Sequence, residues 1–416
     1  MRILMLGWEF APLITGGLGR ACGKIVDELL ALGHSIDFVV PVAGETQPRE
    51  GFQLIGIGAT DSPANSSQLK LASFLDSATK ENRAAVCLDS ALWPYANHST
   101  LTAGSNPYAG NLLGAVENYA NQICERFATG QYDAIHAHDW LTFAAAQVLS
   151  KKLQIPFIAH FHSLESDRNY CAPNPIVIAI EKMAVDEADT VIAVSDFTRR
   201  CLENNYGLNA AKCRVIHNGT DTFRAFEIKN RKSFQKRSHA PTVLFMGRLT
   251  HQKGVQNFCA IAKEVLKTVA DTKFVVAGEG DMALALRKEI AANGLEKSFS
   301  LVGLLEGAAV AEAYQQADVL MMPSISEPFG LVATEATEYG LPSVLSTACG
   351  AVEVLPSAFK AHPEDSVRFA QLITLLLANP EIGESVVRQS RADMAAHTWK
   401  RTARFISNSY TEAVGT

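Results

Sequence analysis

The sequence has no Cys-x-x-Cys pair, and its eight cysteines are scattered along the whole chain. Paired cysteines are typical of structural zinc sites and of redox motifs, so this pattern indicates reduced thiols and no zinc centre. Long apolar runs are also missing, and Ile3–Leu6 is too short for the core of a secretory signal peptide. We therefore expect a cytoplasmic protein whose membrane contact is at most peripheral.

Positive charge is not in excess either. The net charge of −6 at pH 7 provides no basic field of the kind that holds nucleic acid, so we expect no nucleic-acid partner. The basic run at residues 229–237 contains a single aromatic residue, Phe234, and has no amphipathic pattern. We interpret it as a solvated linker.

Length and pattern predict the architecture. A chain of 416 residues exceeds what one hydrophobic core usually supports. Short apolar runs alternate with helical patterns in both halves, which predicts an α/β protein with two doubly wound parallel sheets. We place the first domain at 1–220, a linker at 221–240, the second domain at 241–395 and a C-terminal helix at 396–416. We expect that helix to cross back to the first domain, although its pattern also suits a helix that completes the second. Residues 43–110 predict long loops.

The most informative stretch is Pro323–Glu335. It follows a short apolar run typical of a buried strand and precedes a helical pattern that ends at Gly340. The first amides of such a helix point outward at its positive end and suit a phosphate or a sugar hydroxyl. We expect Glu327 to flank this turn and Glu335 to reach a ribose. The expected amide donors are those of Phe329, Gly330 and Leu331.

Other polar residues also follow predicted strands, where ligands of open parallel sheets bind. Arg248 and Lys253 share one loop and supply two cations for a diphosphate, although solvated loops often carry basic residues. The glycines before the first helix let a phosphate approach the backbone, or simply form a tight turn. No Asp-x-Asp pair occurs, so we expect these cations and the helix amides, with no metal or other cofactor, to stabilise the leaving group. The remaining candidates for the phosphate and sugar are Gly16, Gly17, Gly278 and Glu279.

In the first half, a segment ending in Asp139 and Trp140 suggests a sugar hydroxyl ligand beside an aromatic platform. The ordinary alternative for Asp139 is a helix N-cap. Of His160 and His162 in the next strand, we expect only one to face the site. A structural histidine is the usual alternative.

These motifs resemble the retaining glycosyltransferases of family 4, which have the GT-B fold. The resemblance rests on Glu327 and Glu335 and on four short segments, namely 217–219, 247–249, 253–254 and 278–280. It implies transfer of a sugar, such as glucose, from a nucleotide-sugar donor to an acceptor hydroxyl with retention and without a metal. It also implies a cleft that closes over the donor.

The same resemblance implies roles for individual residues. Arg248 and Lys253 would bind the diphosphate, Glu335 the ribose, and Glu327 the donor sugar. Gly17 would approach the distal phosphate, His162 would lie beside the anomeric centre, and Asp139 on the acceptor side.

The first half also resembles glycogen and starch synthases, through Thr15–Gly19 and His136–Trp140. Bacterial members of that group have a lysine where this chain has Ile14, so the sequence leaves open whether the donor is linked to UDP, ADP or GDP. The acceptor, a sugar, a glycan or a small molecule, is equally open. Two alternatives remain: an epimerase of the same fold that acts on a nucleotide sugar, and an inactive sugar-binding module.

Overall fold

A computed structural model of the chain describes residues 1–13, 16–57, 112–169, 172–220 and 240–415. Most of the loop region predicted at 43–110, the basic run and nearly all of the predicted linker lie outside the described residues, as does Ile14. The chain forms two compact units. Unit 1 comprises Met1–Asn218 with Trp399–Thr416, and unit 2 comprises Gly219–Thr398.

Unit 1 contains a parallel sheet of seven strands in the order β3-β2-β1-β4-β5-β6-β7. Strand β4 pairs with β5 so that His138 lies opposite His160. The described strands are β1 (Arg2–Leu6), β2 (Ser35–Val40), β3 (Phe52–Gly56), β4 (Ala134–His138), β5 (Phe157–Phe161), β6 (Thr190–Ala193) and β7 (Cys213–Val215). The α-helices described among the first 218 residues are α1 (Gly17–Ala31), α2 (Leu112–Arg126), α3 (Trp140–Leu153), α4 (Glu165–Arg168), α5 (Pro175–Glu187) and α6 (Asp196–Tyr206).

The centre of unit 1 is helix α3, which is buried along most of its length against β4, β5, α2 and α5. Alanines at 144–146 let it approach the sheet closely, and Phe143 packs on Phe161 with ring centroids 4.7 Å apart. A helix that is apolar on all sides is typical of such a central position.

Unit 2 contains a parallel sheet of six strands in the order β10-β9-β8-β11-β12-β13. Its strands are β8 (Thr242–Met246), β9 (Lys273–Ala277), β10 (Phe299–Gly303), β11 (Val319–Met322), β12 (Ser343–Ser346) and β13 (Phe359–Ala361). Its α-helices are α7 (Phe258–Thr268), α8 (Ala283–Ala292), α9 (Ala308–Gln316), α10 (Leu331–Glu338), α11 (Ser366–Ala378) and α12 (Pro380–Met394).

Counted within the unit, the strands of unit 2 have the order 3-2-1-4-5-6 of the doubly wound Rossmann fold, and unit 1 has the same order with a seventh strand at its edge, so the predicted α/β fold class is confirmed. Each unit has its own core, with apolar side chains on both faces of a buried parallel sheet.

The last helix, α13 (Trp399–Gly415), belongs to unit 1 and packs against α1. Polar contacts accompany the packing: the Tyr410 hydroxyl lies 2.6 Å from Nδ1 of His136, and Nε2 of His34 lies 2.8 Å from the Ser407 hydroxyl. Just before this helix, the amide of Thr220 donates to the carbonyl of His397 at 2.8 Å, which ties the first residues of unit 2 to its last.

Candidate functional site

In unit 2, the loop between β11 and α10 has the conformation that the sequence predicted. Gly330 is the N-cap of α10 with φ of 100°, and a Cβ at this position would lie 2.6 Å from Cε of Met322. Only glycine therefore suits the site. No side chain caps the helix at Gly330, so the start of α10 keeps its positive end for an external anion or hydroxyl.

Glu327 lies in this loop and is only 7% exposed. Its carboxylate forms an ion pair with Lys253 at 2.5 Å and accepts a longer contact from the Ser324 hydroxyl at 3.4 Å. Backbone hydrogen bonds with Ala348 and Gly350, both at 2.8 Å, hold the residue in place. The ammonium of Lys253 is thus oriented by an acidic partner beside the start of α10, which is a geometry suited to a substrate phosphate.

Three glycines bring the loops that follow β8, β9 and β11 into backbone contact. A Cβ on Gly278 would lie 1.9 Å from the carbonyl oxygen of Gly247, and one on Gly280 2.3 Å from that of Leu249. A Cβ on Gly254 would lie 2.0 Å from the carbonyl oxygen of Pro323. Close packing of the backbone therefore requires glycine at these three positions. The predicted contacts of Gly278 and of the exposed Glu279 with a donor remain predictions.

Glu335 lies one and a half turns into α10, where Oε2 accepts a hydrogen bond of 2.9 Å from the hydroxyl of Tyr314. The ring of Tyr314 stacks on that of Tyr339 with centroids 5.1 Å apart. Sequence reasoning missed Tyr314, because only the packing of α9 against the sheet brings it to Glu335. Arg248 lies half-buried in the loop after β8, which also leads to Lys253.

In unit 1, four histidines at the ends of β4 and β5 form a cluster of rings, here called the histidine cluster: His136, His138, His160 and His162. The rings of His160 and His162 stack with centroids 4.1 Å apart, and Nδ1 of His138 lies 2.9 Å from Nε2 of His162. Residues two apart in a strand share a face, so these two rings lie side by side; His160 is only 1% exposed and His162 is half-buried, and which of them faces a ligand stays a prediction.

Burial determines the charge of the histidine cluster. It lowers the pKa of His136 and of His162 to about 3, and it holds the pKa values of His138 and His160 well below the ordinary value. All four are therefore neutral near pH 7. His162 is the half-buried member of the cluster and thus offers a neutral imidazole, which donates or accepts a hydrogen bond.

Asp139 follows β4 with φ of 60° and occupies the N-cap position of α3, but its side chain does not cap that helix. Its carboxylate instead accepts hydrogen bonds from the amides of His162 at 2.7 Å and Ser163 at 3.2 Å. Burial raises the pKa of Asp139 to about 6, and the charge of Arg168 and these hydrogen bonds oppose the rise. Asp139 therefore positions the loop that carries His162, and its place on the acceptor side remains a prediction.

The structure also corrects the prediction that Trp140 is an exposed aromatic platform. The residue is only 1% exposed and belongs to the core of unit 1, so it is no platform for an acceptor. The helical position explains the error, since Trp140 begins α3 on a face that packs inward.

A buried polar network continues from Asp139. The Ser163 hydroxyl lies 3.3 Å from Asp139 Oδ2 and accepts from Nη1 of Arg168 at 2.6 Å, and Arg168 also donates to Glu181 at 3.0 Å. Tyr206 donates to Glu181 as well. Burial raises the pKa of Glu181 to about 8, against the charge of Arg168 and the hydrogen bond from Tyr206. No local sequence pattern indicates this network, which joins three helices.

The predicted phosphate contacts Gly16 and Gly17 lie at the start of α1 and are exposed. Glu9 already reaches this helix end, because Oε1 accepts from the amide of Gly19 at 2.8 Å. One turn further along α1, burial, followed by the charges of Glu9 and Asp139, raises the pKa of the Cys22 thiol well above its usual range. The contact of Gly16 and Gly17 with a donor remains a prediction.

The site residues thus form two groups, one in each unit, and each group lies at the carboxyl ends of a parallel sheet. In unit 2 the structure brings Lys253, Glu327 and the start of α10 together. In unit 1 it brings His162 to Asp139 and to the other histidines. No helix in the described ranges is both long and apolar enough to cross a membrane.

Comparisons with known proteins agree with this architecture. Residues 15–224 match the family model described as Glycosyltransferase Family 4, and residues 226–393 match that described as Glycosyl transferases group 1. The glycogen synthase of Mycobacterium tuberculosis is 26% identical over 423 residues, which covers 99% of this chain and 95% of the relative.

Two solved structures have the same fold. The sucrose-phosphate synthase of Thermosynechococcus elongatus superposes with a TM-score of 0.75 at 18% identity, over 99% of this chain and 98% of the other. The Anabaena protein HepE, solved in complex with UDP-glucose, superposes with a TM-score of 0.68 at 17% identity, over 99% of this chain and all (100%) of the other. With a family model over half of its length and the two Rossmann-like domains of the GT-B fold, this chain belongs to glycosyltransferase family 4 and is a glycosyltransferase.

Proposed function

We propose that the protein transfers a glucosyl group from a nucleoside-diphosphate glucose to an acceptor hydroxyl, with retention of configuration and without a metal ion. The observation that carries the proposal is the ion pair of Glu327 and Lys253 beside the uncapped start of α10. That arrangement offers a cation, helix amides and a carboxylate within one loop. These groups match the phosphates and hydroxyls of a nucleotide sugar.

Unit 2 binds the donor in this proposal. Arg248 and Lys253 stabilise the diphosphate as negative charge develops on it, and the amides at the start of α10 add fixed dipoles. The absence of an Asp-x-Asp pair from the sequence supports a leaving group held by these cations. Glu335, oriented by Tyr314, accepts hydrogen bonds from the ribose hydroxyls.

Retention requires the acceptor to attack from the face that the leaving diphosphate occupies. In this proposal the acceptor oxygen bonds to the anomeric carbon while the bond to the diphosphate breaks. A donor phosphate oxygen takes the proton of the acceptor. His162 supplies a neutral imidazole that hydrogen-bonds to the transferred sugar, and Asp139 holds its loop in place.

The similarity to a glycogen synthase along nearly the whole chain supports glucose as the transferred sugar and a glucan as the acceptor. The HepE neighbour, solved with UDP-glucose, supports a nucleoside-diphosphate glucose as the donor.

The test has two parts. In the first, UDP-, ADP- and GDP-glucose are added separately, and the cognate donor raises the melting temperature by mass action. Glu335→Ala removes charged hydrogen bonds to the ribose and weakens donor binding by about 10- to 100-fold. Glu338→Ala, on the same helix, is the matched control and leaves binding unchanged. If no nucleotide sugar stabilises the protein, or if the two variants behave alike, the donor site is misassigned.

In the second part, donor and a glucan primer are incubated together and the anomeric configuration of the product is determined by NMR. An α-linked product from an α-linked donor supports retention. Conversion of the donor to an epimer in the absence of any acceptor would replace the transferase proposal by the epimerase alternative. Donor binding without any turnover would support the inactive module.

A further inference from the structure

Unit 1 contains a group of ligating atoms that the proposed transfer does not use as a set. One atom each from Cys22, His138 and His162 lie within 4.8 Å of one another. Cys22 comes from α1, His138 from the end of β4, and His162 from the loop after β5. Three separate elements therefore converge on one point at the carboxyl end of the sheet.

The donor set suits a borderline or soft divalent ion. A thiolate and two imidazoles are ligands that Zn²⁺ prefers, whereas Mg²⁺ and Ca²⁺ prefer oxygen. In a tetrahedral zinc site, two nitrogens lie about 3.3 Å apart, and sulfur and nitrogen lie about 3.6 Å apart. Nδ1 of His138 and Nε2 of His162 are 2.9 Å apart and all ligand atoms of the set lie within 4.8 Å of one another, so an ion requires these separations to change by about 1.2 Å or less.

The surroundings favour a cation. The charges of Glu9 and Asp139 both act on the Cys22 thiol. The same carboxylates hold the backbone of the ligand-bearing segments, Glu9 at the amide of Gly19 and Asp139 at the amide of His162. Supports of this kind orient the ligands of metal sites.

His138 has no exposed surface. Its Nδ1 faces Nε2 of His162 at 2.9 Å and is the nitrogen placed to ligate with it, whereas Nε2 on the opposite side of the ring has no hydrogen-bond partner among the described residues. A second set, His136, His138 and His160, also lies within ligating distance. That set is completely buried, and Nδ1 of His136 already contacts Tyr410. Half-buried His162 gives the set with Cys22 an approach from the surface.

We propose that Cys22, His138 and His162 bind one zinc-class divalent ion, and that the bound ion inhibits the enzyme. On binding, the thiol proton of Cys22 is released to solvent and the thiolate coordinates the ion, while a water molecule completes the fourth position. The ion is coordinated by the imidazole of His162, and the coordinated nitrogen then no longer hydrogen-bonds to a sugar. Only the inhibition rests on the proposed function, since binding is measured without any substrate.

Binding is tested with Co²⁺ added to the metal-free protein. We expect one Co²⁺ per chain and a thiolate-to-cobalt charge-transfer absorption that added Zn²⁺ abolishes by displacement. Cys22→Ser abolishes the absorption and weakens binding by about tenfold or more. Cys259→Ser, which changes another buried helical cysteine in unit 2, is the matched control and keeps both.

A missing absorption in the unaltered protein, or one that persists in Cys22→Ser, overturns the site. Should Cys22→Ser fail to fold, His162→Asn gives a second test. It changes a half-buried ligand, keeps the thiol, and is expected to weaken Co²⁺ binding by about tenfold or more. Unchanged affinity in this variant also overturns the site.

Inhibition is tested by measuring nucleoside-diphosphate release with one equivalent of Zn²⁺ and after chelation. Loss of release that chelation reverses, and that Cys22→Ser resists, supports the proposal. Co²⁺ binding with no loss of release rejects the inhibitory role and leaves the ion site. An enzyme that releases no diphosphate even when metal-free contradicts the proposed function instead.

Discussion

Glu181 has a carboxylate with no exposed surface, held by Arg168, Tyr206 and the amide of Glu165. Because burial raises its pKa from 4.5 to about 8, the native state binds more protons than the unfolded state between these values. The contribution of Glu181 to stability is therefore fully present below its unfolded pKa and is lost as pH rises through about 8.

This loss of stability with rising pH leads to a prediction. In Glu181→Gln, the free energy of unfolding falls less steeply between about pH 5 and about pH 8 than in the unaltered protein, as measured by urea unfolding. Glu187→Gln is the control on the same helix. The hydrogen bond from Lys151 and other contacts lower the pKa of Glu187 despite burial. Glu187 therefore changes the pH dependence of the free energy of unfolding only below about pH 4.5. Equal slopes for Glu181→Gln and the unaltered protein would show that Glu181 is ionised throughout.

Gly278 illustrates a different residue-scale constraint, since both its φ of 143° and its backbone contact exclude a side chain. We predict that Gly278→Ala destabilises unit 2 by about 3 to 5 kcal/mol, measured by chemical unfolding. Gly294→Ala separates the two causes, because Gly294 also has a positive φ, of 65°, but has open space around it. That control costs about 1 kcal/mol. Similar losses in both variants would show that the contact with Gly247 relaxes easily.

At the scale of elements, α13 is held to unit 1 by a buried polar contact as well as by its apolar face. Tyr410→Phe removes the hydroxyl that lies 2.6 Å from Nδ1 of His136 and leaves that buried nitrogen without its partner. We predict a loss of about 1 to 3 kcal/mol in the free energy of unfolding. Thr411→Ala, at the next and exposed position, changes it by about 0.5 kcal/mol or less. If both variants unfold alike, the contact with His136 adds nothing to stability.

The helices and strands themselves were largely predictable, but the side chains that contact the site residues were not. Apolar runs followed by helical spacing predicted β11 and α10 and the turn between them, because buried strands and amphipathic helices leave different periods in the sequence. Lys253 and Tyr314 reach Glu327 and Glu335 only through packing, which no local pattern encodes. Trp140 was misplaced because a residue after a polar cluster was read as exposed. The apolar residues on every side of α3 were the available signal against that reading.

At the scale of the whole molecule, the presence of two units with separate cores predicts two thermal transitions. In calorimetry, Gly278→Ala is expected to lower the transition of unit 2, and Tyr410→Phe that of unit 1. A cognate nucleotide sugar raises the transition that Gly278→Ala lowers. A single transition that both variants shift equally would show that the two units unfold as one.

The parallel pairing in both sheets followed from the repeated strand and helix pattern, because parallel strands need crossover connections. The convergence of Cys22 with His138 and His162 did not follow, since it depends on how α1 rests on the sheet. Sequence reasoning excluded zinc because no Cys-x-x-Cys pair is present. A motif search does not detect ligands that come together from three elements far apart in the sequence.

The place of α13 in unit 1 has a consequence for synthesis on the ribosome. Unit 2 is one continuous segment, Gly219–Thr398, and all of it is made before Trp399. Unit 1 lacks α13, and with it Tyr410 beside His136, until the segment that ends at Gly415 has emerged. Although domains generally fold in the order of their synthesis, the second half of this chain is able to finish folding first. Until α13 packs, the surface of α1 that it covers and the side chain of His136 stay exposed, and chaperones are able to bind there.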